Sequence, residues 1–298
     1  MFVRAGDAIL NVVRACGVRS VVFVGTGKNV GKTVAMRALY EAAVAASLVP
    51  ALTSIGRDGE AVDISDAGSK PRLFLQPGTI VATACGALPR TPASEILMLS
   101  RERTAAGPLA FARVRSPGYY ELIGPPTASG IRRTVGTLLE YAPLAIVDGA
   151  IDRVAALSGG HDAVIVSCGA ASGATVEEAV DDVRALVLRL RIPAHDGVEP
   201  ALVIEGALTP SIAAALVRSG EQRAVVVRDA TQVVLSGRTA IATLQRLRVR
   251  CVHPLNVVAV TVASIGRDRA FEPRGFARAV AEATGLPVFD IYASERAA

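Results

Sequence analysis

The chain has 298 residues, of which 51% are hydrophobic and 20% are charged. This composition excludes an intrinsically disordered protein, and the length suffices for one large α/β domain or two smaller ones. The net charge is +5, but the arginines are dispersed and aromatic residues make up only 4%. That combination argues against nucleic-acid binding.

Residues 1–17 mix apolar side chains with Arg4, Asp7 and Arg14, which predicts an amphipathic helix rather than a secretory leader. No apolar run reaches the ~18 residues that cross a bilayer, so we expect no membrane association. The cysteines show no paired spacing and stand at Cys16, Cys85, Cys168 and Cys251. We therefore expect free thiols and a reducing, cytoplasmic location.

A glycine-rich segment with two of the chain's three lysines joins a predicted strand, residues 21–24, to a predicted helix, residues 34–46. The segment and the first helical residue read Gly25, Thr26, Gly27, Lys28, Asn29, Val30, Gly31, Lys32, Thr33 and Val34. Except at Lys70, the rest of the chain uses arginine, which indicates that this segment requires a compact ammonium group. Strand, loop and helix in this order are typical of a P-loop and predict phosphate binding.

The residue types of the loop suit Mg²⁺ and a nucleotide. Lys32 would contact the β- and γ-phosphates, and the Thr33 hydroxyl would bind Mg²⁺. The spacing departs from the standard motif, because Thr26 stands where its first glycine belongs and Gly25 lies one residue earlier. An Asn-Lys-x-Asp guanine-reading motif does not occur in the sequence, which favours ATP over GTP.

The next predicted elements are a strand at residues 50–55 and a long, Gly- and Asp-rich connection at 56–78. Because plain linkers are shorter, we expect this connection to be functional. Residues 109–114 and 119–123 flank a Ser-Pro-Gly turn and predict a β-hairpin. A helix candidate follows at residues 129–141.

Two short apolar strands follow, at residues 144–147 and 163–167, and a helix is predicted from Thr175, as N-cap, to residue 190. Asp148 ends the first of these strands. An acidic residue in that place is the usual metal partner of a P-loop, and Asp58, in the loop after the second strand of the chain, is the next candidate. We therefore predict Thr33, Asp58 and Asp148 as Mg²⁺ ligands and Lys32, Asp58 and Asp148 as catalytic residues.

The alternation of strands and helices resumes after a plausible boundary at residues 193–200. The predicted strands are 201–204, 224–227, 257–263 and 288–291, and the predicted helices are 211–219, 239–247 and 275–283. Continuous apolar strands between helices predict an α/β fold, with a mostly parallel sheet flanked by helices on both faces. We predict a nucleotide-binding domain at 1–192, and at 201–298 either an extension of its sheet or a smaller α/β domain.

One pentapeptide occurs twice, as Ser-Ile-Gly-Arg-Asp at residues 54–58 and at residues 264–268. Each copy follows an apolar strand, so each should lie on a loop at the carboxyl end of a parallel sheet, where ligands bind. Both loops could face ligands, or the repeat could be a glycine turn with a solvated Arg–Asp pair.

Residues 25–34 resemble the phosphate loop of dethiobiotin synthetase, a member of the SIMIBI group of P-loop proteins, and residues 147–150 (Val-Asp-Gly-Ala) are similar to its acidic segment. The resemblance implies that Asp148 binds Mg²⁺ and that Asp58 stands where that family has its other acidic ligand. The lysine that binds the diamine substrate of the synthetase has no counterpart after the second strand, where Ser54, Arg57 and Asp58 stand.

A second resemblance runs nearly the whole length of the chain. Residues 25–33, 53–60, 147–153 and 287–290 are similar to the P-loop reactivase subunits associated with cobalamin-dependent lysine and ornithine aminomutases. This resemblance implies an ATPase that acts on a partner aminomutase.

Three functions therefore remain open at this point. The first is a Mg²⁺-dependent ATPase, a hydrolase that remodels a partner enzyme. The second is a synthetase-like ligase that activates a small carboxylate or carbamate with ATP. The third is a non-catalytic regulatory module, for example a nucleotide-dependent homodimer.

Overall fold

The computed structural model describes residues 5–56, 72–89, 93–149 and 162–292. The strands are β1 (Ser20–Gly25), β2 (Pro50–Ser54), β3 (Leu73–Leu75), β4 (Ile80–Ala84), β5 (Ser94–Thr104), β6 (Gly107–Val114), β7 (Gly118–Tyr120), β8 (Leu144–Asp148), β9 (Ala163–Gly169), β10 (Ala201–Val203), β11 (Ala224–Asp229), β12 (Val249–His253), β13 (Asn256–Ala263) and β14 (Val288–Asp290). The helices are α1 (Ala5–Ala15), α2 (Lys32–Ala45), α3 (Ala128–Tyr141), α4 (Val176–Leu190), α5 (Pro210–Ser219), α6 (Gly237–Arg246) and α7 (Pro273–Thr284).

The main sheet places β1 at its centre. Its order is β14-β13-β9-β1-β8-β2-β4-β6-β5, and every pairing from β14 to β4 is parallel. Only β6 and β5, at one edge, pair antiparallel. The α/β class and the mostly parallel sheet are therefore confirmed.

Helices cover both faces of this sheet, and they bury the apolar residues of its strands on both sides. Along β1, Val22 and Val24 pack in the same core as α3, α4 and α7. Val21 and Phe23 point to the other core, which α1 and α2 complete. The continuous apolar sequence of β1 thus reflects two cores that take alternate residues.

The strands of residues 201–298 divide between two sheets. β13 and β14 extend the main sheet beyond β9, whereas β10, β11 and β12 form a separate parallel sheet. A third apolar core joins this small sheet to α5 and α6 and includes Ala185 of α4 and Ile192 just beyond it. Helix α4 therefore packs in two cores and connects the small sheet to the main one.

The predicted hairpin of residues 109–114 and 119–123 is wrong. Strand β6 pairs with β4 and β5, and β7 pairs with β3 in a two-stranded sheet. Tyr120 of β7 is buried, and its hydroxyl donates to the Ala93 carbonyl oxygen at 3.0 Å, just before β5. A turn sequence fixes where a chain can reverse, but burial decides which strand it then joins.

The predicted start of α4 is confirmed. Thr175 is the N-cap, and its side-chain oxygen accepts a hydrogen bond from the Glu178 amide at 3.2 Å. The amphipathic helix predicted near the amino end is α1, with Ile9, Leu10 and Val13 buried against the sheet. Within the described ranges, none of the helices is long and apolar enough to span a bilayer.

Candidate functional site

The glycine-rich loop, residues 25–31, lies at the carboxyl edge of the sheet, between the central strand β1 and α2. β1 is flanked by β9 and β8, and in this register Gly25 faces Ser167 and Phe23 faces Asp148. The ends of these neighbouring strands therefore surround the loop. In open parallel sheets this edge is where ligands bind.

The amino end of α2 is open. The helix begins at Lys32, its N-cap Gly31 offers no side-chain hydrogen bond, and its first turn carries no acidic residue. The first amide groups of a helix have no intrahelical partner and carry a partial positive charge. This end of α2 can therefore receive an anion.

Gly31 cannot be replaced without strain. Its φ is +84°, and a Cβ at this position would lie 2.5 Å from Ile291 Cδ1 and 2.8 Å from the Ala263 Cβ. Both contacts come from the carboxyl-terminal part of the chain, just beyond β14 and at the end of β13. These elements thus support the loop by close packing.

Lys32 and Asp148 form an ion pair behind the loop. Lys32 Nζ lies 2.7 Å from Asp148 Oδ1 and donates a hydrogen bond of 2.6 Å to the Gly149 carbonyl oxygen. Oδ1 is buried, and Lys32 is the partner that the described part of the chain gives it. The two charges therefore neutralise each other.

Strand β9 and its following loop hold the other side of the glycine-rich loop. The Thr26 amide donates to the Ser167 carbonyl oxygen at 2.9 Å, and Thr26 Oγ1 lies 2.6 Å from Ser172 Oγ. Ser172 also accepts a bond from the Gly169 amide at 3.3 Å. Sequence reasoning did not find Ser172, because its partner is 146 residues away and no motif marks it.

The remaining predicted loop residues differ in exposure. Gly27, Lys28 and Asn29 are exposed, and Asn29 adopts a left-handed φ of 60°. Val30 is buried, whereas Thr33 and Val34 are half-buried in the first turn of α2. The exposed backbone of residues 27–29 and the Thr33 hydroxyl are thus available to a ligand, and Val30 anchors the loop.

Asp58, predicted as a metal ligand and catalytic residue, lies outside the described residues, as does Arg57. Ser54, the first residue of the same segment, is described and has a structural role. Its hydroxyl donates to the Leu122 carbonyl oxygen at 2.8 Å and accepts a bond from the Gly124 amide at 3.1 Å. Those bonds fix the chain where β2 ends.

The strands that precede the two copies of the pentapeptide lie at equivalent places in the main sheet. β2 and β13, which precede its two copies, each lie two strands from β1, on opposite sides. Ser264 is fully buried, and its hydroxyl has no hydrogen-bond partner among the described residues, unlike that of Ser54. The structure therefore brings the second copy to the same sheet edge as the glycine-rich loop.

Cys168 is not a nucleophile in this arrangement. It is fully buried, and burial, with a smaller contribution from the charge of Asp182, raises the pKa of its thiol to about 12. A protonated thiol neither attacks a substrate nor ligates a metal. Its place in β9 is therefore a matter of packing.

Comparison of the chain with protein-family models, curated proteins and solved structures found no match.

Proposed function

We propose that this chain is a Mg²⁺-dependent ATP-binding P-loop protein, and that it works as an ATPase on a partner enzyme. The observation that carries the proposal is the placement of Lys32. It is the first residue of an open helix, it follows a glycine-rich loop at the centre of a parallel sheet, and it faces Asp148. The free helix amides, together with the Lys32 ammonium once it leaves Asp148, would bind a phosphate there.

The oxygen donors suit Mg²⁺. Asp148 Oδ1 is a buried carboxylate oxygen that would become free when Lys32 leaves it, and the Thr33 hydroxyl lies in the first turn of α2. Hard oxygen ligands of this kind are what Mg²⁺ prefers. We propose that Thr33 and Asp148, with Asp58, hold the ion, whose charge would offset that of the terminal phosphates.

In the ligand-free protein, the ion pair holds the Lys32 ammonium next to Asp148. When a nucleotide binds, we expect Lys32 to leave Asp148 and place its ammonium on the β- and γ-phosphates, which frees the carboxylate. Lys32 and the backbone amides of residues 25–34, from the loop and the first turn of α2, would then stabilise charge on the transferring phosphoryl group. Asp58 or Asp148 would orient the attacking water by accepting its hydrogen bond.

Titration calorimetry with Mg·ATP and Mg·GTP tests the site. Lys32→Ala should weaken Mg·ATP binding by on the order of 2–5 kcal/mol, since it removes a close charge contact. The matched control is Arg37→Ala, which removes a positive charge from an exposed side chain on the same helix. Equal binding by the wild type and Lys32→Ala would contradict the site, and preference for Mg·GTP would contradict the nucleotide assignment.

Asp148→Asn separates the metal from the phosphate contacts. The substitution removes the charge that holds Lys32 in the ligand-free protein, so ATP binding in EDTA should be retained or tighter. The gain in affinity that Mg²⁺ gives the wild type should be lost. An unchanged Mg²⁺ dependence would show that Asp148 does not ligate the ion.

The proposed partner is a cobalamin-dependent aminomutase, which the sequence resemblance suggests. We expect slow basal hydrolysis of ATP that such an enzyme stimulates. If the chain is instead a regulatory module, we expect it to form a homodimer when the nucleotide binds. Sedimentation with and without Mg·ATP would detect this homodimer. Tight ATP binding without any hydrolysis would favour that module over the ATPase.

One observation favours a synthetase-like ligase as the second candidate. A cavity of about 290 Å³, lined by Arg72, Tyr119, Glu121 and residues 86–89, lies beside the carboxyl end of β4. Because β4 is parallel to β2, this is the same sheet edge as the glycine-rich loop. Arg72 and Glu121 could bind opposite ends of a small charged substrate. ADP release that depends on a small carboxylate or amine, without any partner protein, would support this activity.

A further inference from the structure

A second cavity lies far from the glycine-rich loop. Its volume is about 340 Å³; it is partly open to solvent and is lined by residues of α4, α6, α7 and β12 and of the segment just after α4. Helices α4 and α7 follow parallel strands and run back from their carboxyl ends, so their last residues lie at the opposite edge of the sheet. The length of α4 alone, 15 residues, separates the two sites by about 22 Å.

The lining of this cavity is mixed, and its apolar residues come from two of the cores. Val187 of α4 belongs to the main core, whereas Ile192, Leu247 and Val249 belong to the core of the small sheet. The volume falls at the lower end of the roughly 300–1,000 Å³ that small-molecule sites occupy. The cavity therefore has the size and lining of a ligand site at the junction between two sheets.

Three arginines line the cavity, and no carboxylate is among its lining residues. Arg250 pairs with Glu199, at 3.2 Å between Nε and Oε1. Among the residues that the structure describes, Arg191 donates only to the Thr284 carbonyl oxygen, at 3.4 Å. Arg184 makes neither an ion pair nor a hydrogen bond with any residue that the structure describes. Two of the three guanidinium groups thus have no counter-charge in the described part of the chain.

Such an arrangement favours an anion. Like charges that line one concavity repel each other and raise the local concentration of anions. An anion inside the cavity would relieve that repulsion. Guanidinium groups are also the side chains that bind carboxylate and phosphate with two parallel hydrogen bonds.

We propose that this cavity binds a small organic anion. Arg184 and Arg191 hold its carboxylate or phosphate group, and its apolar part packs against Val187, Ile192 and Leu247. Arg250 contributes less, because Glu199 already offsets its charge. The site is separate from the proposed nucleotide site and does not depend on it.

Phenyl phosphate and benzoate are the probes for the test, which uses calorimetry on the full chain. Both should bind the wild type, and the tighter of the two identifies the preferred anionic group. Two further compounds serve as controls: benzyl alcohol lacks the charge, and inorganic phosphate lacks the apolar part. Each should bind at least about tenfold more weakly than phenyl phosphate, because it loses either a charge-assisted contact or the burial of a ring.

Variants then locate the site. Arg184→Gln and Arg191→Gln should each weaken phenyl phosphate binding about tenfold or more. Arg218→Gln, an exposed arginine of α5 that does not line the cavity, is the matched control and should bind like the wild type. Lys32→Ala should also bind like the wild type, which separates this cavity from the phosphate site of the glycine-rich loop.

Three results would overturn the proposal: no binding of either probe, equal binding by the two glutamine variants and the wild type, or loss of binding in Lys32→Ala. Arg184→Lys keeps the charge and serves where a glutamine variant does not fold. Arg184→Lys should retain more affinity for phenyl phosphate than Arg184→Gln. If both variants lose the same affinity while their melting temperatures equal that of the wild type, Arg184 makes no charge contact with the anion.

Discussion

Lys32 Nζ lies 2.7 Å from Asp148 Oδ1, so the lysine that begins α2 and the carboxylate that ends β8 neutralise each other. The two residues are 116 positions apart in the sequence, and adjacent parallel strands bring them together. Both side chains are about one quarter exposed, at 28% each. The pair is therefore close enough to solvent to open for a ligand.

The first prediction is that this pair stabilises the fold only modestly. A double-mutant cycle of Lys32→Ala and Asp148→Ala should give a coupling of about 1 kcal/mol, because partial exposure screens the attraction. Urea unfolding of the four proteins measures it. The exposed pair Arg37–Glu41, at 3.6 Å on α2, should give a smaller coupling of about 0.3–0.5 kcal/mol. Strictly additive effects of Lys32→Ala and Asp148→Ala would contradict the prediction.

The second prediction concerns Gly31. Gly31→Ala should lower the free energy of unfolding by about 2–3 kcal/mol, because the new Cβ meets Ile291 and Ala263 at a left-handed φ. Gly78→Ala is the control: its φ is +90°, but nothing lies within 4 Å of its added Cβ, so only the backbone term of about 1 kcal/mol remains.

A rescue completes the Gly31 test. Ile291→Val removes the Cδ1 atom that the new Cβ would approach at 2.5 Å. In the Gly31→Ala background it should therefore cost less than it does in the wild type. Equal costs in both backgrounds, measured by urea unfolding, would show that the contact with Ile291 does not matter.

The local part of the site could be predicted from the sequence. The strand, the loop and the helix from Ser20 to Ala45 are consecutive, so residue order alone indicates their arrangement. The position of Asp148 followed from one further step. Asp148 is the last residue of a short apolar strand, and the last residues of parallel strands lie at the carboxyl edge of the sheet. In the structure, Asp148 indeed ends β8 next to β1.

The long-range contacts could not be predicted. The contact of Gly31 with Ile291, and the bond between Thr26 and Ser172, depend on the strand order, which periodicity does not encode. Strand β12 was missed because it is short and carries Arg250 and His253 among its apolar residues. The predicted pairing of β6 was wrong for the same reason. Several strands could pair with β6 and help to bury its apolar residues, and the local sequence does not say which of them does.

The third prediction is a pH dependence from Cys168. Burial raises the pKa of this thiol from 9.0 to about 12, so between these values the unfolded thiol is ionised while the folded one stays protonated. Unfolding then releases a proton, and stability falls as the pH rises, by about 1.4 kcal/mol per pH unit. Below pH 9 the contribution is fully present.

Cys168→Ala isolates this effect from other groups that titrate in the same range. Between pH 8 and pH 10 the wild type should lose about 1.4 kcal/mol more stability than Cys168→Ala does. The exposed Cys16 is the control, and Cys16→Ala should follow the wild type. Parallel stability curves for the wild type and Cys168→Ala in urea unfolding would show that Cys168 ionises equally in both states.

The last prediction concerns the start of α4, which follows the Ser172 contact with the glycine-rich loop. Thr175→Ala removes the acceptor for the Glu178 amide and should cost about 1 kcal/mol in urea unfolding, whereas Thr175→Ser should be nearly neutral. Thr209→Ala, at the cap of α5, should cost less, because its bond to the Ile212 amide is 3.4 Å long and Ala213 is the one buried residue of that helix. Amide exchange at Glu178 should also quicken in Thr175→Ala. A cost near zero for Thr175→Ala would mean that solvent replaces the Thr175 hydroxyl without loss, and equal costs at the two caps would contradict the predicted difference between them.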